Sequence, residues 1–117
     1  MGLLLRRKWL FNYLKMSWFV KMERFTPETI ALGQGQRERH LKDHRLWVED
    51  LCKSGVRISS GYLVNQKRQP GGGGLMLFEA ETYEKAEGLI KKDPMIKANL
   101  VDWELQEWIP VAGSLID

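Results

Sequence analysis

Residues 44–64, HRLWVEDLCKSGVRISSGYLV, contain a change of hydrophobic period that decides the fold. Up to Lys53 the apolar residues recur at three- and four-residue steps, which predicts the end of an amphipathic helix that begins near Gln36. Gly55 stands where a glycine commonly ends a helix, because it adopts the left-handed conformation without strain. Beyond this glycine the apolar residues alternate as far as Asn65, which predicts a strand.

On the N-terminal side, the stretch SWFVKMERF at residues 17–25 also alternates between apolar and polar residues. It predicts a first strand that ends at Pro27, since proline has no N–H to donate to a sheet. On the C-terminal side, QKRQPGGGG at residues 66–74 is predicted to be a flexible connection. The apolar run LMLFEA at residues 75–80 predicts a third strand.

The rest of the chain adds a second helix and a last strand. Thr82 is a suitable N-cap for the helix, and Asp93 ends it because the residue before a proline avoids the α region. The last strand follows from about Asn99 to Ile109. The order β-α-β-β-α-β predicts an α+β, ferredoxin-like fold with an antiparallel sheet.

Both faces of this sheet carry large apolar residues. Neighbouring positions such as Trp18 and Phe19, or Leu77 and Phe78, point to opposite faces of a strand. Two helices cover only one face, and the other face would be polar in a monomer. A second copy of the sheet is the simplest cover, so we expect a homodimer.

The basic residues are concentrated in residues 1–15, which carry four of the 18 lysines and arginines and no acidic residue. We interpret this segment as an N-terminal extension, either a tail or a non-native start, and residues 16–117 as the single domain. Without the segment the chain has 14 basic and 15 acidic residues, which argues against a nucleic-acid partner. The apolar run in the segment is too short for stable membrane insertion. A lone cysteine favours a reducing, cytoplasmic location.

Two long stretches resemble the YciI-like (YCII-related) family, and the resemblance extends over most of residues 17–110. They are HRLWVEDLCKSGVRISSGYL, from residue 44, and GGLMLFEAETYEKAEGLIKKDP, from residue 73. The resemblance implies a dimeric α/β barrel of ferredoxin-like units and a paired His and Asp in a pocket beside the sheet. It identifies these two residues as His44 and Asp93. Members often carry an arginine three residues before the histidine, where this chain has Leu41.

In the catalytic interpretation His44 moves a proton, because imidazole titrates near neutral pH and a hydrogen bond to Asp93 would orient it. Ser59, Ser60 and Gly61 could offer donors to a substrate, and Arg24 could hold an anionic group. Each residue also has a purely structural interpretation: the histidine as packing at a helix–sheet junction, the aspartate as a helix cap, the small residues as close packing, and the arginine as an exposed charge.

No metal and no cofactor is expected. His40 is four residues before His44, but neither a third ligand nor an HExxH pattern accompanies the pair. A phosphate loop would need a lysine and a helix after the glycines at 71–74, and a strand follows them instead. Cys52 lies on the apolar face of its helix and is predicted to be a core residue.

Two functions follow from these observations. The first is a small cofactor-free enzyme in which the His-Asp pair transfers a proton on a small organic substrate. For this the resemblance suggests lyase, isomerase or dehalogenase chemistry on a cyclic or aromatic acid. The second is a non-catalytic dimeric module that binds a small molecule or acts in regulation.

Overall fold

A computed structural model describes residues 15–115, which form a four-stranded antiparallel sheet with helices packed on one face. The strand order is β2-β3-β1-β4, the order of a ferredoxin-like unit. The six predicted elements are present in the predicted order, and two short helices, α1 and α4, are added to them. The elements are β1 (Ser17–Phe25), α1 (Pro27–Ala31), α2 (Gln34–Lys53), β2 (Ile58–Val64), β3 (Pro70–Ala80), α3 (Tyr83–Ile90), α4 (Pro94–Lys97) and β4 (Val101–Trp108).

The core lies between the helices and the two central strands. Phe19 of β1 is directly opposite Phe78 of β3, and both are completely buried. Ala86 and Ile90 of α3 pack against them, because their spacing places both on the face of α3 that meets the sheet. The predicted cap Thr82 accepts a hydrogen bond from the backbone N–H of Lys85. Helix α3, the second of the two helices predicted from the sequence, therefore begins at the predicted cap and buries its apolar face as predicted.

The prediction of a flexible connection at residues 66–74 is wrong for its second half, because β3 already begins at Pro70. Gly74 lies opposite Glu23 in the sheet, and a Cβ at this position would lie 3.1 Å from the Glu23 Cγ. Gly72 has a φ of +84°, and its Cβ would lie 3.3 Å from the Phe25 ring. These glycines leave room for side chains of β1, so here they belong to a strand.

Helix α2 packs less tightly than its sequence predicts. Of its predicted apolar stripe only His44 is buried, and Leu41 remains 37% exposed. Cys52 is exposed, which corrects its prediction as a core residue; its Sγ lies 3.8 Å from the carbonyl oxygen of Ile58. For Leu41 and Val48 the reason is that this part of the helix borders a cavity, so their side chains meet open space where a core would be.

The sheet face opposite the helices carries a continuous apolar surface, as the alternation in the sequence predicts. We call it the open face; by strand register its apolar residues are Trp18, Val20, Met22, Leu63, Leu75, Leu77 and Trp108. Met22 and Leu75 are 48% and 39% exposed. None of the helices between residues 15 and 115 is sufficiently long and apolar to cross a bilayer. The predicted extension at residues 1–15 falls outside the described residues, except for Lys15.

We predict that Gly72→Ala lowers the free energy of unfolding by roughly 1–2 kcal/mol, the usual cost of a side chain in the left-handed region. Urea titration would measure the change. Gly71→Ala is the matched control, because its Cβ would meet no atom within 4 Å and its φ is not positive. Equal effects of the two substitutions would contradict the proposed role of Gly72 in β3.

Candidate functional site

His44 is hydrogen-bonded through both ring nitrogens. Nδ1 lies 2.9 Å from Asp93 Oδ1, and Nε2 lies 2.9 Å from Ser60 Oγ. An ionised carboxylate only accepts hydrogen bonds, so Nδ1 carries the hydrogen and donates it to Asp93. The Nε2 lone pair of the neutral ring then accepts the hydroxyl hydrogen of Ser60. The histidine is therefore held in the tautomer whose basic nitrogen faces β2.

Asp93 is positioned by the turn between α3 and α4. It is the N-cap of α4, with Pro94 at the first position of that helix, and its Oδ1 accepts the backbone N–H of Met95 at 3.0 Å. A short polar side chain before a proline is a common way to begin a helix. The side chain is completely buried. The cap that begins α4 thus also fixes the carboxylate that contacts His44.

Lys21 completes the environment of this carboxylate from the centre of β1. Its Nζ donates to Asp93 Oδ2 at 2.9 Å and lies 3.3 Å from Glu23 Oε1. Burial alone raises the pKa of Asp93, but the hydrogen bond from His44 and the charge of Lys21 oppose this effect. Together they hold the pKa of the Asp93 carboxyl below its ordinary value of 3.8. Asp93 therefore stays ionised at neutral pH although water does not reach it.

A cavity of about 480 Å³ opens beside this hydrogen-bonded chain, between α2 and the sheet. Most of its lining is apolar, and its polar side chains include His44, Ser60, Arg45 and Glu49. Glu23 also lines it, and the second carboxylate oxygen of this residue is buried without a hydrogen-bond partner. Gly72, Gly73 and Gly74 of β3 also line it, and side chains at positions 72 and 74 would be on the helix side of the sheet, as are Phe25 and Glu23. Its volume is in the range of small-molecule sites.

The structure brings together four of the six residues predicted for the site. His44, Asp93 and Ser60 form the hydrogen-bonded chain, and Gly61 lines the cavity. Ser59 and Arg24 are placed elsewhere: their strand positions are on the open face, and neither lines the cavity. The physical reason is the two-residue period of a strand, which sends adjacent side chains to opposite faces. The structure therefore does not bring Ser59 and Arg24 to this cavity.

Lys21 and Glu23 were missed, although the sequence contained a signal for both. The alternation of β1 places them on the same face as Phe19, which is a core residue. Two charged residues on the buried face of an apolar strand require partners, because an unpaired buried charge is costly. The same observation could have indicated that an acidic residue elsewhere would meet Lys21.

His40 does not form a metal site with His44. Within residues 15–115 no three His, Cys, Asp or Glu side chains are grouped so that they could hold a metal ion. Both ring nitrogens of His44 already have protein partners.

Several solved structures are similar to this chain. A 5-chloro-2-hydroxyhydroquinone dehydrochlorinase (TftG) from Burkholderia phenoliruptrix AC1100, in complex with 2,5-dihydroxybenzoquinone, is 19% identical with a TM-score of 0.59; the match covers 79% of this chain and 93% of that one. An ethyl tert-butyl ether D (EthD) family protein from Bacillus halodurans C-125 is 12% identical with a TM-score of 0.49, over 80% and 99% of the two chains. A Bacteroides thetaiotaomicron protein of unknown function, described as a possible oxidoreductase, is 12% identical with a TM-score of 0.48, over 80% and 95%. No curated protein matches the sequence.

The family comparison extends over nearly the whole sheet and all the helices. The family model of the YCII-related domain matches residues 17–109, from the start of β1 to the end of β4. The architecture agrees with the ferredoxin-like fold that the resemblance implies. The chain belongs to the YCII-related domain family.

Proposed function

We propose that this protein is a cofactor-free enzyme in which His44 transfers a proton and Asp93 orients the ring. The observation that carries the proposal is the hydrogen-bonding of His44, which donates to a buried carboxylate and keeps its basic nitrogen at the wall of a cavity. A general base needs this arrangement, because the lone pair must reach the substrate while the other nitrogen is fixed.

In the proposed step a C–H or O–H bond of the substrate breaks, and its proton forms an N–H bond at Nε2. The electron pair stays on the substrate, where it forms a double bond or expels a leaving group. The resulting imidazolium is stabilised by the ionised Asp93, whose second oxygen is fixed by Lys21. Return of the proton to a different atom would complete an isomerisation, and loss of the leaving group would complete an elimination.

The proposed substrate is a small, flat organic molecule. The cavity floor contains glycines 72–74 and much of its wall is apolar, which suits a ring or a short unsaturated acid. Removal of HCl from a ring, the reaction type in the name of the Burkholderia dehydrochlorinase, belongs to the class described here. We therefore place the substrate among cyclic or aromatic compounds, with lyase, isomerase or dehalogenase chemistry.

A non-catalytic binding module is the second candidate, and the burial of His44 favours it. Only 8% of His44 is exposed, and its Nε2 is already hydrogen-bonded to Ser60. In this alternative the chain from Lys21 to Ser60 stiffens the cavity wall, and the protein binds a small molecule without changing it. The two candidates differ in whether a bound molecule is chemically changed in a step that requires His44.

We also propose that the open face pairs with the same face of a second copy. Nothing between residues 15 and 115 covers this face enough to bury Met22, Leu63 or Leu75, which remain 39–48% exposed. A row of large apolar residues across three or more strands is unusual on a monomer surface. Face-to-face packing of two sheets would remove it from water and would form a dimeric barrel.

For the His-Asp pair we predict that Asp93→Asn changes the pH response of the His44 ring signals, because the charged acceptor of the Nδ1 hydrogen is removed. An NMR titration measures this directly, since the chain has only two histidines. His44→Ala assigns the signals, and His40 is the internal reference. Asp102→Asn on the exposed side of β4 is the matched control. A His44 titration that ignores Asp93 would favour the binding module.

A second expectation concerns stability. At pH 7 Asp93→Asn should lower the free energy of unfolding by roughly 3 kcal/mol, because it leaves the charge of Lys21 buried with a poorer partner. The folded-state pKa of Asp93 is lowered, so its stabilising contribution is complete above pH 3.8 and is lost as pH falls through the folded-state pKa. Denaturant titrations at pH 7 and below pH 3.8 would measure this. The difference in free energy of unfolding between wild type and Asp93→Asn should be smaller at the lower pH. A gap that widens in acid would refute the ion-pair assignment.

For the open face, Leu75→Asp should raise the dimer dissociation constant at least tenfold, since a charge would be buried between two sheets. Sedimentation equilibrium of the full chain gives this constant. Leu46→Asp is the control, because Leu46 is similarly exposed, at 48%, but lies on α2. A wild-type monomer at high micromolar concentration would rule out the pairing.

A further inference from the structure

We infer that Ser60 is a nucleophile, activated by His44 and Asp93, and that the cavity accepts esters of small apolar acids. The three side chains are linked in the order serine hydroxyl, histidine, aspartate, with 2.9 Å at each of the two contacts. This is the order and spacing by which serine hydrolases on unrelated folds activate their nucleophile. The inference rests on the proposed function in one respect, since His44 must accept a proton at Nε2.

The direction of the hydrogen bonds agrees with this role. Asp93 can only accept, so Nδ1 donates to it, and in the neutral ring Nε2 accepts from the Ser60 hydroxyl. A serine that donates to an imidazole lone pair is prepared to lose its proton as its oxygen attacks. The opposite tautomer would have made Ser60 an acceptor and would have excluded the role.

The position of Ser60 also suits a nucleophile. It lies in the middle of β2, an edge strand, and its side chain faces the cavity although the residue as a whole is exposed. The cavity lining has two further hydrogen-bond donors, Arg45 and Tyr62, which could stabilise a developing oxyanion. Its apolar walls fit an acyl group rather than a charged one.

In the proposed reaction Ser60 Oγ bonds to the acyl carbon while its proton moves to Nε2. The ester C–O bond breaks, and the leaving alcohol takes the proton from Nε2. Water, deprotonated by the same nitrogen, then attacks the acyl-serine and restores the hydroxyl. The only co-reactant is water, and no oxidant or reductant takes part.

The test uses a fluorophosphonate, which forms a stable phosphonyl adduct with an activated serine and releases fluoride. We expect one adduct per chain, located at Ser60 by mass spectrometry of the digested protein. The adduct should be absent in Ser60→Ala and in denatured wild type, and should form at least 100-fold more slowly in His44→Ala. Ser59→Ala is the matched control, because this adjacent serine is on the opposite face, and its labelling rate should equal that of wild type. The rate of 4-nitrophenyl acetate hydrolysis should be equal in wild type and Ser59→Ala, at least 100-fold lower in His44→Ala, and absent in Ser60→Ala.

The inference is overturned if folded wild type is not labelled, if the adduct lies on another residue, or if Ser60→Ala retains ester hydrolysis. Thermal unfolding of each variant shows which of them fold. If His44→Ala does not fold, labelling of folded wild type is compared with labelling of denatured wild type. An ordinary serine reacts equally slowly in the two states, so faster labelling of the folded protein would still show that Ser60 is activated. The two tests can also disagree. If Ser60 is not labelled but the His44 NMR titration still depends on Asp93, the nucleophile role of Ser60 is refuted and the proposed proton transfer by His44 is not.

Discussion

The buried contact between Lys21 and Asp93 is the interaction on which the site depends. It joins the first strand to the turn after α3, across 72 residues of sequence. Without the lysine the pKa of the Asp93 carboxyl would rise, because only the hydrogen bonds from His44 and from the Met95 N–H would still oppose the effect of burial. Without the aspartate the lysine would be a buried cation with only Glu23 nearby. The pair keeps Asp93 ionised in the core, and an ionised Asp93 selects the tautomer of His44.

A second constraint is the lack of side chains at residues 72–74. At positions 72 and 74, which are on the helix side of the sheet, an ordinary strand would place larger side chains that take up part of this space. The glycines instead leave a cavity at the point where the hydrogen-bonded chain reaches Ser60. The weak packing of α2 follows from the same cause, because a helix over a cavity cannot bury a full apolar stripe. Fold and site are thus determined by the same few positions.

Sequence reasoning recovered the order of the elements because hydrophobic period and capping are local properties. The adjacency of His44 and Asp93 came from the family resemblance, since no local pattern relates residues 49 positions apart. Ser59 was assigned to the site because its strand was expected to end near the pocket, and Arg24 because it ends the first strand and could hold an anion. The strand period places both on the other face. Lys21 was not identified because its partner is remote, although a lysine on a core-facing strand position indicated that a partner existed. The glycines were misassigned because their role depends on side chains of a neighbouring strand.

The position of Lys21 has a consequence for synthesis on the ribosome. Strand β1 is made before β3 and β4, the strands with which it pairs, and Asp93 follows Lys21 by 72 residues. At a translation rate of about 5–20 residues per second, β1 remains without its partner strands for several seconds. An unpaired apolar strand is prone to association during this time, and a charge in its centre opposes such association. The lysine that later lies in the core would thus first act as a gatekeeper of the nascent chain.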